Sequence, residues 1–177
     1  MVVKILVLCG SPRRSGNTEI MCNAFADAAK EQGHEVNVVY ASSIRPNPCL
    51  ACGYCRSHEG ECIQQDDMQA VYPLLDAADM VVFASPIYYF NLSAQLKIML
   101  DRFYAKGGVG FHPTQAALLL DSHSPDVFSG SIQAYYDTLN YLKWEDRGIV
   151  AIDGMTEKGS MAKDSRLEQV RELAKSL

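Results

Sequence analysis

No run of apolar residues in this sequence is long enough to cross a membrane. No basic block interrupts it. Acidic side chains outnumber basic ones, 21 to 16, for a net charge of −5, so a nucleic-acid partner is not expected. The apolar stretch at the N-terminus is too short for a secretory signal and lacks a basic region and a small-residue cleavage site. No repeat, low-complexity tract or long linker divides the chain. There is no G-x-x-x-x-G-K-[ST] loop, which disfavours nucleotide triphosphate chemistry, and no G-x-G-x-x-G, which disfavours a dinucleotide Rossmann site. No Ser/His/Asp triad and no paired carboxylates stand out. Any redox chemistry is therefore expected of a cofactor, with the protein binding and orienting it.

What is present is 177 residues, 48% of them hydrophobic, enough for one domain with a sizeable core. Six cysteines without a secretory signal point to a reducing compartment, the cytoplasm, and to reactive or metal-binding thiols. Strand and helix signals alternate along the chain. Strands are expected near 1–8, 35–40, 80–84, 116–120 and 148–152. Helices are expected after Thr18, after Asp66, after Ser93, around 132–142 and over 166–177. Asp66 with Gln69 reads as a capping box, Ser93 as a cap, Gly33 as a helix stop, and Pro73 as a kink or early stop. The alternation predicts an α/β fold, a single unit with a five-stranded parallel sheet.

Ligands on such sheets bind outside the carboxyl ends of the strands, where the order reverses. Two loops fall there. The first, Cys9 to Thr18, carries Ser11, Arg13, Arg14, Ser15, Gly16, Asn17 and Thr18 between a strand and a helix. Its glycines permit close approach, Ser15 or Asn17 can cap the helix, and the first-turn amides favour an anion. Hydroxyls without a Lys suit a phosphate monoester such as that of FMN. The second, Ser85 to Asn91, brings Pro86, Ile87, Tyr88, Tyr89 and Phe90, an aromatic loop suited to a flat ring. A third loop, Asp121-Ser122-His123, could reach the ring's far edge or a nicotinamide. Cys9 and Cys22 read as buried core thiols.

The loop at about 44–63 holds Cys49, Cys52, Cys55 and Cys62, spaced C-x2-C-x2-C-x6-C. Four thiolates so close in sequence can wrap one centre. A [4Fe–4S] cluster, zinc, thiol redox chemistry and an empty site all remain open from the spacing.

The motifs G-S-P-R-R-S-G-N-T and S-P-I-Y-Y-F-N, the latter followed by S-A-Q-L-K-I-M-L-D-R-F, resemble flavodoxin-like NAD(P)H-dependent FMN reductases and iron–sulfur flavoproteins. The cysteine motif and the C-x3-D-D-M after it resemble the iron–sulfur members. The likeness is strong over residues 1–105 and weak beyond. It implies an FMN-binding oxidoreductase taking hydride from NAD(P)H and passing electrons to a quinone, a flavin or another small acceptor. It implies the flavodoxin-type fold with strand order 2-1-3-4-5, FMN contacts from Ser11, Arg13, Ser15, Gly16, Asn17, Thr18, Pro86, Ile87, Tyr88, Tyr89 and Asn91, and a candidate [4Fe–4S] cluster on the four cysteines. Phe90 and Ser122 join the expected FMN contacts by their places in the aromatic loop and after the fourth strand, where the chain departs from the family's small loop. It also implies a homodimer or homotetramer, and surface or interface roles for Lys97, Asp101 and Arg102. The rival readings are a flavodoxin-like electron carrier without enzymatic activity and a structural zinc protein.

Overall fold

The computed structural model describes residues 1–177. Five parallel strands form the sheet: β1 (Lys4–Cys9), β2 (Glu35–Tyr40), β3 (Met80–Tyr88), β5 (Gln115–Asp121) and β6 (Glu145–Ile152). β1 lies between β2 and β3, and the path runs β2-β1-β3-β5-β6. In chain order this is 2-1-3-5-6, where 2-1-3-4-5 was expected. The difference is a two-residue strand, β4 (Asn91–Leu92), which turns back antiparallel on β3 and lies off the path. The aromatic loop is thus a tight hairpin, and β3 runs on past Ala84 to Tyr88 to form it.

The central strands are apolar without interruption because both faces are covered. Ile5, Val7 and Cys9 point into one layer with Met21 and Phe25 of α1 (Asn17–Glu31) and Leu167 and Val170 of α6 (Leu167–Lys175). Leu6 and Leu8 point into the other layer. There they meet Val71 and Leu75 of α3 (Met68–Ala77), Leu96 and Met99 of α4 (Ala94–Arg102), and Leu139 of α5 (Ser129–Leu142). β2, with alternating exposure, is an edge strand as its Val36/Val38 pattern predicts. Cys9 and Cys22 are buried in the core, as expected. The one-turn helix α2 (Tyr54–Ser57) lies within the cysteine loop.

Helix termini follow the sequence in part. Gly33, at φ +87°, stops α1: its N–H meets Lys30 O at 2.9 Å and the His34 N–H meets Ala29 O at 3.1 Å. The Ser93 hydroxyl caps α4 by accepting from Leu96 N at 3.2 Å. Pro73 neither stops nor shortens α3, whose first turns it follows with its ring exposed. The capping box does not form. Asp66 accepts from Met68 N at 3.1 Å, but the Gln69 amide donates instead to Cys62 O and Gln64 O, at 3.0 and 2.7 Å.

Candidate functional site

α1 starts at Asn17 with Gly16 as its N-cap, and no side chain caps it. The expectation that Ser15 or Asn17 would do so does not hold. Ser15 stands at φ +53° with its N–H on Glu19, and the Asn17 amide is turned toward the chain after β6. It donates to Glu157 O at 2.9 Å and accepts from Met161 N at 3.1 Å. The first-turn amides of α1 are therefore left free of side-chain partners at the mouth of the loop, where helix dipole and N–H groups together favour an anion.

Close packing holds this loop against α4. A Cβ on Gly10 would come within 2.6 Å of Leu96 Cβ and 2.9 Å of Ser93 Oγ. Only glycine lets β1 turn so near the helix. The Ser93 hydroxyl also donates to Gly10 O at 2.7 Å, and Ser93 N donates to Ser85 Oγ at 2.8 Å. One serine thus joins the ends of β1 and β3 to the start of α4.

A cavity of about 210 Å³ opens at this point. Its walls come from four segments: the loop at 11–18, β3 with Pro86, Ile87 and Tyr88, the end of β5 with Asp121, Ser122 and His123, and Met155, Thr156 and Lys158. The structure thus brings together Ser11, Arg13, Gly16, Asn17, Thr18, Pro86, Ile87, Tyr88 and Ser122. Ser15, Tyr89, Phe90 and Asn91 lie off the wall. Tyr89 and Phe90 form the hairpin tip at φ +47° and +64°, and Tyr89 is 99% exposed. Met155, Thr156 and Lys158 were not foreseen, since nothing in their local sequence marks them; Asn17 holds their turn in place across the chain. The uncapped helix start, the cation of Arg13 and the apolar Pro86–Tyr88 wall fit an FMN phosphate and ring.

Asp121 is the unexpected group. It is 6% exposed and its carboxylate accepts from the Thr18 hydroxyl. Burial pushes its pKa up to about 6, against the lowering effects of the Thr18 hydrogen bond and the Arg13 charge. An acid that holds its proton more firmly than usual sits where a phosphate dianion would arrive.

The cysteine loop lies elsewhere. It packs against the C-terminal end of α4, whereas the loop after β1 packs at the N-terminal end, about 14 Å of helix away. Cys49, Cys52, Cys55 and Cys62 are free thiols lining one small cavity of about 20 Å³ with Arg102 and Tyr104. No three His, Cys, Asp or Glu side chains stand close enough to hold a single metal ion. A centre of several irons spreads its thiolates more widely than one tetrahedral ion does. Four thiols round a shared cavity are a soft donor set of the kind iron–sulfur centres use.

Arg102, expected at the surface, is 1% exposed. Its Nη1 donates to Asn47 O at 2.9 Å and Asp66 Oδ2 at 2.6 Å. Its Nη2 donates to Asp66 Oδ1 at 3.2 Å and Cys62 Sγ at 3.4 Å, and Nε to the Tyr72 hydroxyl at 3.3 Å. Burial alone would push the Asp66 carboxyl up, but Arg102 and the Asn47 and Met68 amides hold it below its usual value. Lys97 and Asp101 are exposed and pair with each other, as a surface role requires.

Residues 3–143 match the family described as NADPH-dependent FMN reductase. The chain is 40% identical over 105 residues to an iron-sulfur flavoprotein of Archaeoglobus fulgidus, covering 59% of this chain and 47% of that protein. It is 41% identical over 100 residues to an iron-sulfur flavoprotein of Methanosarcina thermophila, covering 56% and 52%. The chain thus spans about half the length of the curated relatives it matches. In fold it is similar to an NAD(P)H:quinone oxidoreductase from Methanothermobacter marburgensis, with a TM-score of 0.71 at 17% identity over 99% of this chain and 97% of that one.

Proposed function

The chain belongs to the NADPH-dependent FMN reductase family, and from that premise we propose that it is an FMN-binding oxidoreductase using NAD(P)H as its electron donor. The observation that carries this reading is the cavity at the reversal of strand order, between β1 and β3, with the uncapped start of α1 and Arg13 at one end and Pro86, Ile87 and Tyr88 along its side. The phosphate sits on the first-turn amides of α1 with Ser11, Gly16 and Thr18. The ring lies along Pro86–Tyr88, with Ser122 at its far edge; Tyr89, Phe90 and Asn91 reach it only from the hairpin. Bound FMN supplies the redox chemistry, accepting a hydride and passing electrons to a small acceptor such as a quinone or a flavin. The protein's part is to bind, orient and shield.

The cysteine loop is read as an insertion of about 44–63 in one flavodoxin-like unit, with Cys49, Cys52, Cys55 and Cys62 as ligands of a [4Fe–4S] cluster. The spacing, the shared cavity and the likeness to iron-sulfur flavoproteins support it. The same membership is the ground for reading the protein as a homodimer or homotetramer. No helix is long and apolar enough to cross a membrane; a cytoplasmic location is part of the proposal.

The test is anaerobic. The full chain loaded with FMN is mixed with NADH or NADPH and the visible absorbance band of the oxidised flavin is followed. Direct bleaching is the expected result. Bleaching only after a separate reductase is added would make the protein an electron carrier. Uptake of zinc with no uptake of FMN would remove the flavin reading altogether. In the same assay Thr18→Ala should weaken FMN retention; unchanged retention would place the phosphate elsewhere.

A further inference from the structure

Every N–H of the buried Arg102 guanidinium has a protein partner, and those partners come from both ends of the cysteine loop. Asn47 O lies two residues before Cys49, Cys62 Sγ is the last of the four thiols, and Asp66 follows four residues later. Tyr72, from α3, takes the Nε hydrogen. A guanidinium needs five acceptors when it is cut off from water, and four are oxygens of ordinary strength. The fifth is a sulfur. A neutral thiol is a poor acceptor, whereas a thiolate bound to metal carries negative charge and accepts well. Hydrogen bonds to the sulfurs are among the features that set a cluster's reduction potential, and the partners behind a ligand orient it. The Gln69 amide holds the Cys62 carbonyl at 3.0 Å, so this residue is fixed from its backbone as well as from its side chain.

We propose that Arg102 is a positioning residue for a metal–sulfur centre at the cysteine loop: its guanidinium draws the two ends of the loop together and presents an N–H and a fixed positive charge to the Cys62 sulfur. The proposal rests on the cluster reading given above. It separates Cys62 from its three partners. Cys49, Cys52 and Cys55 lie on the loop, with Cys49 and Cys52 exposed. Cys55 and Cys62 both pack against the helical layer, but only Cys62 accepts a hydrogen bond from an α4 side chain. The loop is therefore anchored before any metal arrives, and the fourth ligand waits in place for the other three.

The experiment uses the full chain, wild type and Arg102→Lys. Lysine keeps the charge but has three donors and no planar fork, so it cannot serve Asp66, Asn47 and Cys62 together. Two measurements are made. In the metal-free protein, backbone hydrogen exchange over residues 47–66 should be roughly tenfold faster or more in the variant. After anaerobic loading with ferrous iron and sulfide, the midpoint potential of the centre should shift to more negative values in the variant, with FMN content unchanged. A role in folding the loop alone would change the exchange and leave the potential where it was. An unchanged potential in a loaded variant overturns the proposal and leaves the cluster reading standing. Failure of the wild-type chain to take up iron and sulfide overturns the cluster reading, and the proposal with it. Asp66→Asn keeps the side-chain volume and removes the charge that holds the guanidinium, while weakening the Asn47 and Met68 contacts to the same group; it carries the same two measurements should Arg102→Lys not fold.

Discussion

Replacing Asp121 by asparagine should make the flavin-free protein more stable at neutral pH, though it removes a charged group from the candidate site. The carboxyl is 6% exposed, and its pKa rises from 3.8 to about 6, chiefly through burial. Below about pH 4 it is protonated in both the folded and the unfolded chain, and ionisation adds nothing to the balance. Between about 4 and 6 the unfolded chain gives up the proton while the folded one keeps it. Above about 6 the folded protein must hold a carboxylate in a site that disfavours it. The stability this group contributes is therefore full at low pH and lost as pH rises through the window, by roughly 3 kcal/mol in all. Asparagine cannot ionise, yet its amide oxygen still accepts from the Thr18 hydroxyl. The difference between variant and wild type should be small near pH 4 and grow to roughly 3 kcal/mol by pH 7, or about 6–12 °C in Tm for a chain of this size. Thermal unfolding of both proteins at half-unit steps from pH 4 to 7 measures it. A difference that stays constant with pH, or a wild type that is the more stable at pH 7, would refute the reasoning. The same geometry gives the sign for flavin binding. A phosphate dianion beside Asp121 raises its pKa further, so wild type should take up a proton on binding FMN near pH 7 and Asp121→Asn should not, as calorimetry in two buffers of different ionisation enthalpy will read.

Ser93→Ala removes the cap of α4 and strands the Gly10 carbonyl at the same time, so urea unfolding should show a loss of about 2–3 kcal/mol; under about 0.5 kcal/mol would mean that neither bond matters. The hairpin tip holds two aromatic residues in the left-handed region, where glycine or asparagine is at ease. Tyr89→Asn with Phe90→Gly should raise stability by about 1 kcal/mol, and a fall would show that the exposed rings are packed in the working protein.

Much of the fold could be read in the chain. Val2 to Leu8 has no alternation, which marks a strand covered on both faces, and the spacing of Met21, Phe25 and Ala28 marks the helix behind it. Local chemistry was equally legible at Ser93 and Gly33, because a cap and a helix stop depend on neighbours within a few residues. Asn17 was misread for the opposite reason: its partners, Glu157 and Met161, lie 140 and 144 residues away. The Gln69 side chain turned to carbonyls only seven and five residues back, those of Cys62 and Gln64, because the fold of the cysteine loop brings them over the start of α3. Arg102 had the sequence context of a surface residue, at the end of an amphipathic helix beside Asp101. Only the return of the loop over it, carrying Asn47, Cys62 and Asp66, supplies the acceptors that let a guanidinium be buried.

By itself the sequence determined the layered α/β architecture, the hydroxyl-rich loop without a lysine after β1, the aromatic stretch after the third parallel strand and the set of four clustered cysteines. Each is a matter of residue types at short spacing, where steric and hydrogen-bonding preferences act locally. Tertiary structure alone decided three things: that Asp121 shares the cavity with Thr18 and Arg13, that the chain after β6 closes that cavity with Lys158, and that the cysteine loop is pinned at the far end of α4 by Arg102. These depend on which distant segments the packing of the core brings together. The pKa of a carboxyl or the saturation of a guanidinium follows from that neighbourhood and not from the residue's own place in the chain.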